Sequence, residues 1–582
     1  MNRRTVWAPS AKSVAMVTEN ERIAMRRGER GWWLAELNPE VSRADYGFSL
    51  DDGPTFPDPR SPLQPHGVHG LSRPVDQSAF KWRHPRWYQA PLSSAIIYEC
   101  HIGTFTPEGT FDGCTERLSY LRDLGVTHVE LMPVCEFSGA RGWGYDGVDL
   151  FAPHHSYGGP DAMKRFVDAS HGHGLGVILD VVYNHLGPEG NYLGKFGPYF
   201  THRYRTPWGD AVNLDDADSD EVRRFFCDNA LMWLCDYRVD GLRIDAVHAI
   251  FDASAIHFLE QLAAEVRELE AVARRHLVVI AESDLNQPRI VTPREAGGYG
   301  LDAQWNDDFH HALHTIVTGE SAGYLADFGL IAHLAKTLIR AFVYDGGYSK
   351  SRRRTHGRPV AGLSAHRFVA FLQNHDQVGN RAMGERLGHL VTPDQLKISA
   401  ALLMTAPFVP MLFQGEEWNA SSPFQYFTDF HDSALAESVR KGRQAEFASF
   451  VADTSKVPDP QATDTFERSK LNWDERERGE HREILEWYRQ LISLRRCVPD
   501  FENGRLDLEA VTFDEAARWI SINRGGSVVI CNFATIQQRI PIAHDATHLR
   551  VSLASKPGVR FEGKSIELPA VVVVILVAKE PK

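Results

Sequence analysis

The stretch DGLRIDAV, residues 240–247, is a short apolar pattern that closes with an arginine and an aspartate two residues apart. Side chains of a strand point alternately to opposite faces, so Leu242, Ile244 and Ala246 share one face and Arg243 and Asp245 the other. A charge pair on a buried strand is costly unless it is paired, neutralised or used. For this octapeptide taken alone, a structural ion pair explains the pattern as well as a functional one.

Neighbouring segments have the same texture. AIIYEC (95–100), HVELMPV (128–134), GVILDVVYNH (176–185), LVVIAES (277–283), FVAFLQNHD (368–376) and FVPMLFQGEEW (408–418) are short apolar runs. Helical periods separate several of them, among them EVRRFFCDNALMWLCDYR (221–238) and SAIHFLEQLAAEVRELEAVAR (254–274). Fully apolar strands alternating with helices mean a parallel sheet covered on its faces. About eight such units over roughly 400 residues fit an α/β fold built as a (β/α)8 barrel with insertions. ECHIGTFTPEGTF, after the first run, is not the Gly-rich dinucleotide loop that an open doubly wound sheet would favour.

Outside the barrel the pattern is β. Residues 1–90 alternate apolar positions with frequent turns and suggest an N-terminal β-sandwich of the kind carbohydrate-binding modules use; 91–497 hold the barrel; 498–582 return to strands as a C-terminal β-sandwich. The formal net charge of −13, with no Lys/Arg-rich run, argues against nucleic acid as a partner. Seven cysteines without C-x-x-C spacing argue against a disulfide framework and a zinc site, and for a reducing, cytoplasmic location. MNRRTVWAPSAKS has no apolar segment behind its basic residues, and AVVVVILVA (570–578) is too short and too β-branched for a bilayer, so no membrane partner is expected.

In a barrel, chemistry sits at the C-terminal ends of the strands. Those ends carry Asp180 with Asn184 and His185, then Arg243 and Asp245, then Glu282, then His375 and Asp376. Any one acid could be a helix cap or a satisfied core group. Several carboxylates gathered at one barrel mouth without use would be needlessly unfavourable. Two carboxyls that must differ in protonation are what glycosyl transfer requires. Asp245, beside Arg243, is expected to stay ionised. Glu282 follows an apolar strand with no basic neighbour in sequence, so burial is expected to keep its proton on.

The segments DVVYNH, GLRIDAV, AES and QNHD, in that order, resemble the four signature regions of the α-amylase superfamily of glycoside hydrolases. The resemblance implies Asp245 as nucleophile, Glu282 as general acid/base and Asp376 as a third carboxylate that binds and distorts the sugar at the cleavage site. It implies that Arg243, His185 and His375 hold the same sugar, with Tyr145 of GWGYDGV stacked on its ring. Longer tracts, including DPRSPLQPHGVHG (58–70), QWNDDFHHALH (304–314) and FLQNHDQVGNR (371–381), resemble the trehalose-releasing branch of that superfamily. This implies hydrolysis of the α-1,4 bond next to the terminal trehalose of maltooligosyl trehalose, leaving a shortened malto-oligosaccharide, with maltooligosyltrehalose synthase as the pathway partner. His248 and Asp284 are candidates for contacts to the leaving group, though a structural loop role suits each equally well. No metal and no cofactor are expected. The alternatives are a glycogen branching enzyme and a general α-1,4-glucan hydrolase of the same superfamily.

Overall fold

The structure, a computed structural model, describes residues 3–448, 453–542 and 548–579. Eight parallel strands close into a barrel: β1 (Ile97–Cys100), β2 (His128–Leu131), β3 (Gly176–Val181), β4 (Gly241–Ile244), β5 (Val278–Ala281), β6 (Ala303–Trp305), β7 (Phe368–Phe371) and β8 (Val409–Phe413). Each pairs with its neighbours in sequence, and β8 closes on β1 through Met411↔Ile97 and Phe413↔Glu99. Inward side chains of Ile97, Ile178, Ile280, Trp305, Phe371 and Met411 fill the lower interior. Their burial drives closure, at about 1.5–3 kcal/mol for each large side chain.

Seven of these strands coincide with the apolar runs of the sequence; β6 does not. It has three residues, lies in the polar stretch LDAQWND, and is held by Ala281↔Gln304 on one side and Trp305↔Val369 on the other. Between β5 and β6 there are only single turns, Pro288–Ile290 and Arg294–Ala296, so the helix that would flag a β/α unit is missing there.

The N-terminal region forms a three-stranded and a four-stranded antiparallel sheet, the C-terminal region a five-stranded and a three-stranded one. The valine-rich run is the strand Val572–Ala578, paired on both edges and buried up to Val577. Among the described residues no helix is long and apolar enough to cross a membrane. Arg524 of the five-stranded sheet donates to Thr405 O at the end of the barrel helix Pro393–Thr405 and pairs with Glu509 at 2.9 Å. The C-terminal sheet is thereby tied to the barrel by a buried ion.

The glycine-rich stretch 186–220 rests on the N-terminal sheets. Tyr192 packs on Phe56, Phe196 on Phe48, and Tyr199 edge-on against Trp7 at 5.3 Å. These contacts anchor the hairpin Phe200–Thr206/Gly209–Val212, whose tip carries Trp208.

Candidate active site

Arg243 is the centre of the barrel mouth. It is fully buried, and its Nη1 donates to Asp180 Oδ2 at 2.7 Å and to Asp245 Oδ1 at 2.9 Å, while Nη2 lies 3.0 Å from Glu282 Oε2. Trp305 lies under the guanidinium, 4.1 Å from it to the ring centroid. One planar cation thus touches three acids from three consecutive strands and is fixed from below by an aromatic plate. Asp245 and Glu282 stand one residue past β4 and β5, where the backbone leaves the ladder; Glu282 N–H still donates to Ile244 O. Ala246 follows in a left-handed conformation (φ 39°). Such a residue costs about 1–2 kcal/mol, and here it aims its N–H at Glu282 Oε2, 2.7 Å away.

The two carboxyls are displaced in opposite directions. Burial would raise the pKa of Asp245, but Arg243, His185 and an Asn184 Nδ2 hydrogen bond of 2.7 Å outweigh it and hold the group below the usual aspartate range. Burial pushes Glu282 well above the usual glutamate value, aided by the charges of Asp245 and Asp376. The reason differs from the sequence expectation in one respect. Glu282 does have a basic neighbour, because β4 and β5 are adjacent and Arg243 reaches it. It keeps its proton because burial and the repulsion of nearby carboxylates outweigh that one cation, which Asp180 and Asp245 already share.

His375, Asp376, Tyr145 and His185 complete the mouth. The Tyr145 hydroxyl donates to Asp180 Oδ2 at 2.6 Å and lies 2.7 Å from His375 Nε2, and its ring is stacked on that imidazole with centroids 5.0 Å apart. Burial would neutralise His375, but Asp376 and Glu99 outweigh it and carry its pKa up to about 9. Asp376 is the open member, its side chain 38% exposed and its Oδ2 3.5 Å from His375 Nε2. Trp208 covers His185, the two rings parallel at 4.3 Å.

His248 and Asp284 come together, Nδ1 to Oδ1 at 4.0 Å, and Arg352 joins Asp284 at 2.9 Å. Asp284, Tyr324, Phe328, Tyr344 and Arg352 line a cavity of about 450 Å³. Tyr324 connects it to the carboxylates, donating to Gln377, the neighbour of Asp376, at 3.2 Å. Three residues here escaped the sequence reading: Trp208, Tyr324 and Arg352. Asp307, pushed up to about 7 by burial and by Asp284, Asp308 and Asp376, stands in NDDF at the start of a helix, where an acid normally reads as a cap.

Two sets of potential metal donors are engaged within the protein. Asn184 spends its side chain on Asp245 and His185. In the group Glu136, His154 and His155, of which only His155 is partly exposed, Ser156 N–H donates to His154 Nδ1, which leaves the proton on Nε2, the atom that would have to ligate.

An ionised and a protonated carboxyl on one guanidinium, with a cationic histidine and a third, open carboxylate beside them, are the groups needed to attack an anomeric carbon and protonate a glycosidic oxygen. Residues 76–206 match the model of the alpha amylase catalytic domain. The fold and site define a glycoside hydrolase of the α-amylase superfamily, retaining and acting on α-1,4 bonds. Within it, the chain is 48% identical over 99% of its length to the malto-oligosyltrehalose trehalohydrolase of Rhizobium sp. (strain M-11), of which 97% is covered, and 50% identical over 90% of its length to that of Arthrobacter ramosus, of which 92% is covered. It belongs to the malto-oligosyltrehalose trehalohydrolase family. A crystal structure from Salmonella typhimurium, assigned as an alpha amylase, superposes with a TM-score of 0.90 at 38% identity, covering 99% of this chain and 97% of the other.

Proposed function

We propose that the protein cleaves the α-1,4 bond next to the terminal trehalose of maltooligosyl trehalose by double displacement. Asp245 attacks the anomeric carbon while Glu282 protonates the glycosidic oxygen. Trehalose leaves, and Glu282, now a base, activates the water that releases the malto-oligosaccharide with its α configuration retained. Asp376, open at the mouth, binds the hydroxyls of the reacting sugar together with Arg243, His185, His375 and Tyr145. His248 and Asp284, on the side of the Tyr324 cavity, are assigned to the leaving disaccharide. The observation that carries the chemistry is the shared Arg243 guanidinium, with Asp245 held ionised and Glu282 held protonated on either side of it. The choice of leaving group is supported by the name the relatives share.

The pathway partner of this reading is maltooligosyltrehalose synthase, and the location is cytoplasmic, which the seven unpaired cysteines support. The chain divides as 1–90, 91–497 and 498–582. Supplied with maltotriosyl trehalose and, separately, with maltopentaose of equal length, the protein is expected to release trehalose rapidly and to attack maltopentaose slowly. Equal rates would move it to a general α-1,4-glucan hydrolase, and longer chains among the products to a branching enzyme.

A further inference from the structure

Below the carboxylates lies a pair of acids to which the proposed mechanism assigns no step. Glu99 on β1 and Glu130 on β2 are register partners, and each is 1% exposed. Their surroundings differ. Glu99 Oε1 accepts from His375 Nδ1 at 2.5 Å and Glu99 Oε2 from the His375 backbone N–H at 3.0 Å. Among the described residues neither oxygen of Glu130 has a hydrogen-bond partner. Two adjacent buried carboxyls do not both ionise cheaply, and the one that receives N–H donors holds the charge. Burial and the proximity of Glu99 keep Glu130 protonated.

We propose that Glu99 is a positioning residue of the reaction, whose two-point grip on His375 keeps that imidazole doubly protonated with Nε2–H aimed into the mouth. The aim is visible in the next link. Tyr145 gives its own proton to Asp180, so its oxygen is free to accept from His375 Nε2–H at 2.7 Å. A continuous line runs Glu99–His375–Tyr145–Asp180–Arg243, ending on the cation that holds Asp245 and Glu282. The other anions acting on His375 are Asp376, Asp245 and Asp180, while Glu130 and His101, from the end of β1, face it uncharged, each kept neutral by burial. The anions outweigh the opposing field of Arg243, and Glu99 is the only one of them bonded to Nδ1. The inference rests on the proposed roles of the mouth residues and deepens them.

Glu99→Gln is the discriminating variant because it keeps the shape. Its amide is neutral and has a single acceptor oxygen for two N–H groups, so it no longer favours the charged imidazolium and the second proton of His375 is held less tightly. If the pKa of His375 falls to its ordinary 6.5, about a tenth of the molecules keep the imidazolium at pH 7.5. The expected result is a loss of kcat of about tenfold or more at pH 7.5 that largely recovers at pH 5.5. In 15N-histidine spectra, His375 should be doubly protonated at pH 7.5 in the wild type and singly protonated in the variant. Glu130→Gln, which replaces one neutral side chain by another, should leave both readouts unchanged. Undiminished kcat in Glu99→Gln, a loss that does not recover at pH 5.5, or a singly protonated His375 in the wild type would each overturn the proposal, the last without any variant having to fold. Running the pH series on maltopentaose as well as maltotriosyl trehalose separates the two readings. A wrong leaving-group assignment changes the ratio of the two substrates in the wild type, whereas a wrong role for Glu99 shows in the pH profile on either.

Discussion

Asp245 and Glu282 are chemically similar side chains made unlike by what surrounds them. Asp245→Asn and Glu282→Gln are each expected to lower turnover by about 100-fold or more in folded protein. A substrate with a fluoride leaving group needs no proton at the departing atom, so it should restore the first step in Glu282→Gln and not in Asp245→Asn. The pH dependence follows from the direction of each shift. In its proposed role Asp245 must be ionised, and its pKa is lowered, so the acid limb of kcat/KM is expected below the usual aspartate range. In its proposed role Glu282 must carry its proton, and its pKa is raised, so activity is expected to persist above the usual glutamate range and to fall when the first of two protons, that of Glu282 or that of His375, is lost. Glu282→Gln should abolish any part of that alkaline limb that Glu282 sets.

At the scale of elements, the site depends on how a few short pieces lean on each other. Asp376 sits in the five-residue helix His375–Gly379, and a Cβ built on Gly379 would lie 2.1 Å from Trp143 Cζ2. Trp143 has nowhere to go: it is stacked on Phe424 and its Nε1–H donates to Gln425 O at 2.9 Å. Gly379→Ala should destabilise the protein by about 1–3 kcal/mol and reduce kcat by moving Asp376, measurable as a lower urea midpoint with a parallel loss of activity. Seven barrel strands were legible because each is an apolar run long enough to bury on both faces. β6 was not, because its three residues gain their place from partners on β5 and β7 rather than from their own composition. The same holds for the site. Asp245, Glu282 and Asp376 each close a readable apolar run of the sequence, but the bond between Glu99 and His375 joins residues 276 apart, and nothing local marks Glu99 as a partner. Trp208 lay in TPWGD, which reads as a turn and says nothing of what the turn hangs over.

For the molecule as a whole, buried acids set the pH at which it is most stable. Burial pushes Glu416 up to about 8, and Glu417 and Glu509 up to about 7. A carboxyl whose folded pKa is above its unfolded one binds a proton that the unfolded chain has released. Its contribution is therefore whole below the unfolded value and is lost as pH rises through 7 and 8. Glu320 works the other way: His314 and Arg381 hold it at about 2, so its contribution fades as pH falls below the ordinary glutamate range. The melting temperature should accordingly peak in mild acid, at about pH 5, and decline towards pH 8.5. Glu416→Gln should flatten that decline, and an unchanged slope would show that Glu416 does not titrate in this window.

The hairpin that carries Trp208 also turns the mouth into an optical device. Of the thirteen tryptophans, this alone is exposed, at 51%, and its indole lies flat on the imidazole of His185. A sugar arriving there changes the polarity around one identifiable fluorophore while the other twelve stay partly or wholly enclosed. Emission of the unlabelled protein should shift on titration with trehalose or malto-oligosaccharide, and Trp208→Phe should silence most of that response. A colourless substrate could then be followed at equilibrium through the light of a single side chain.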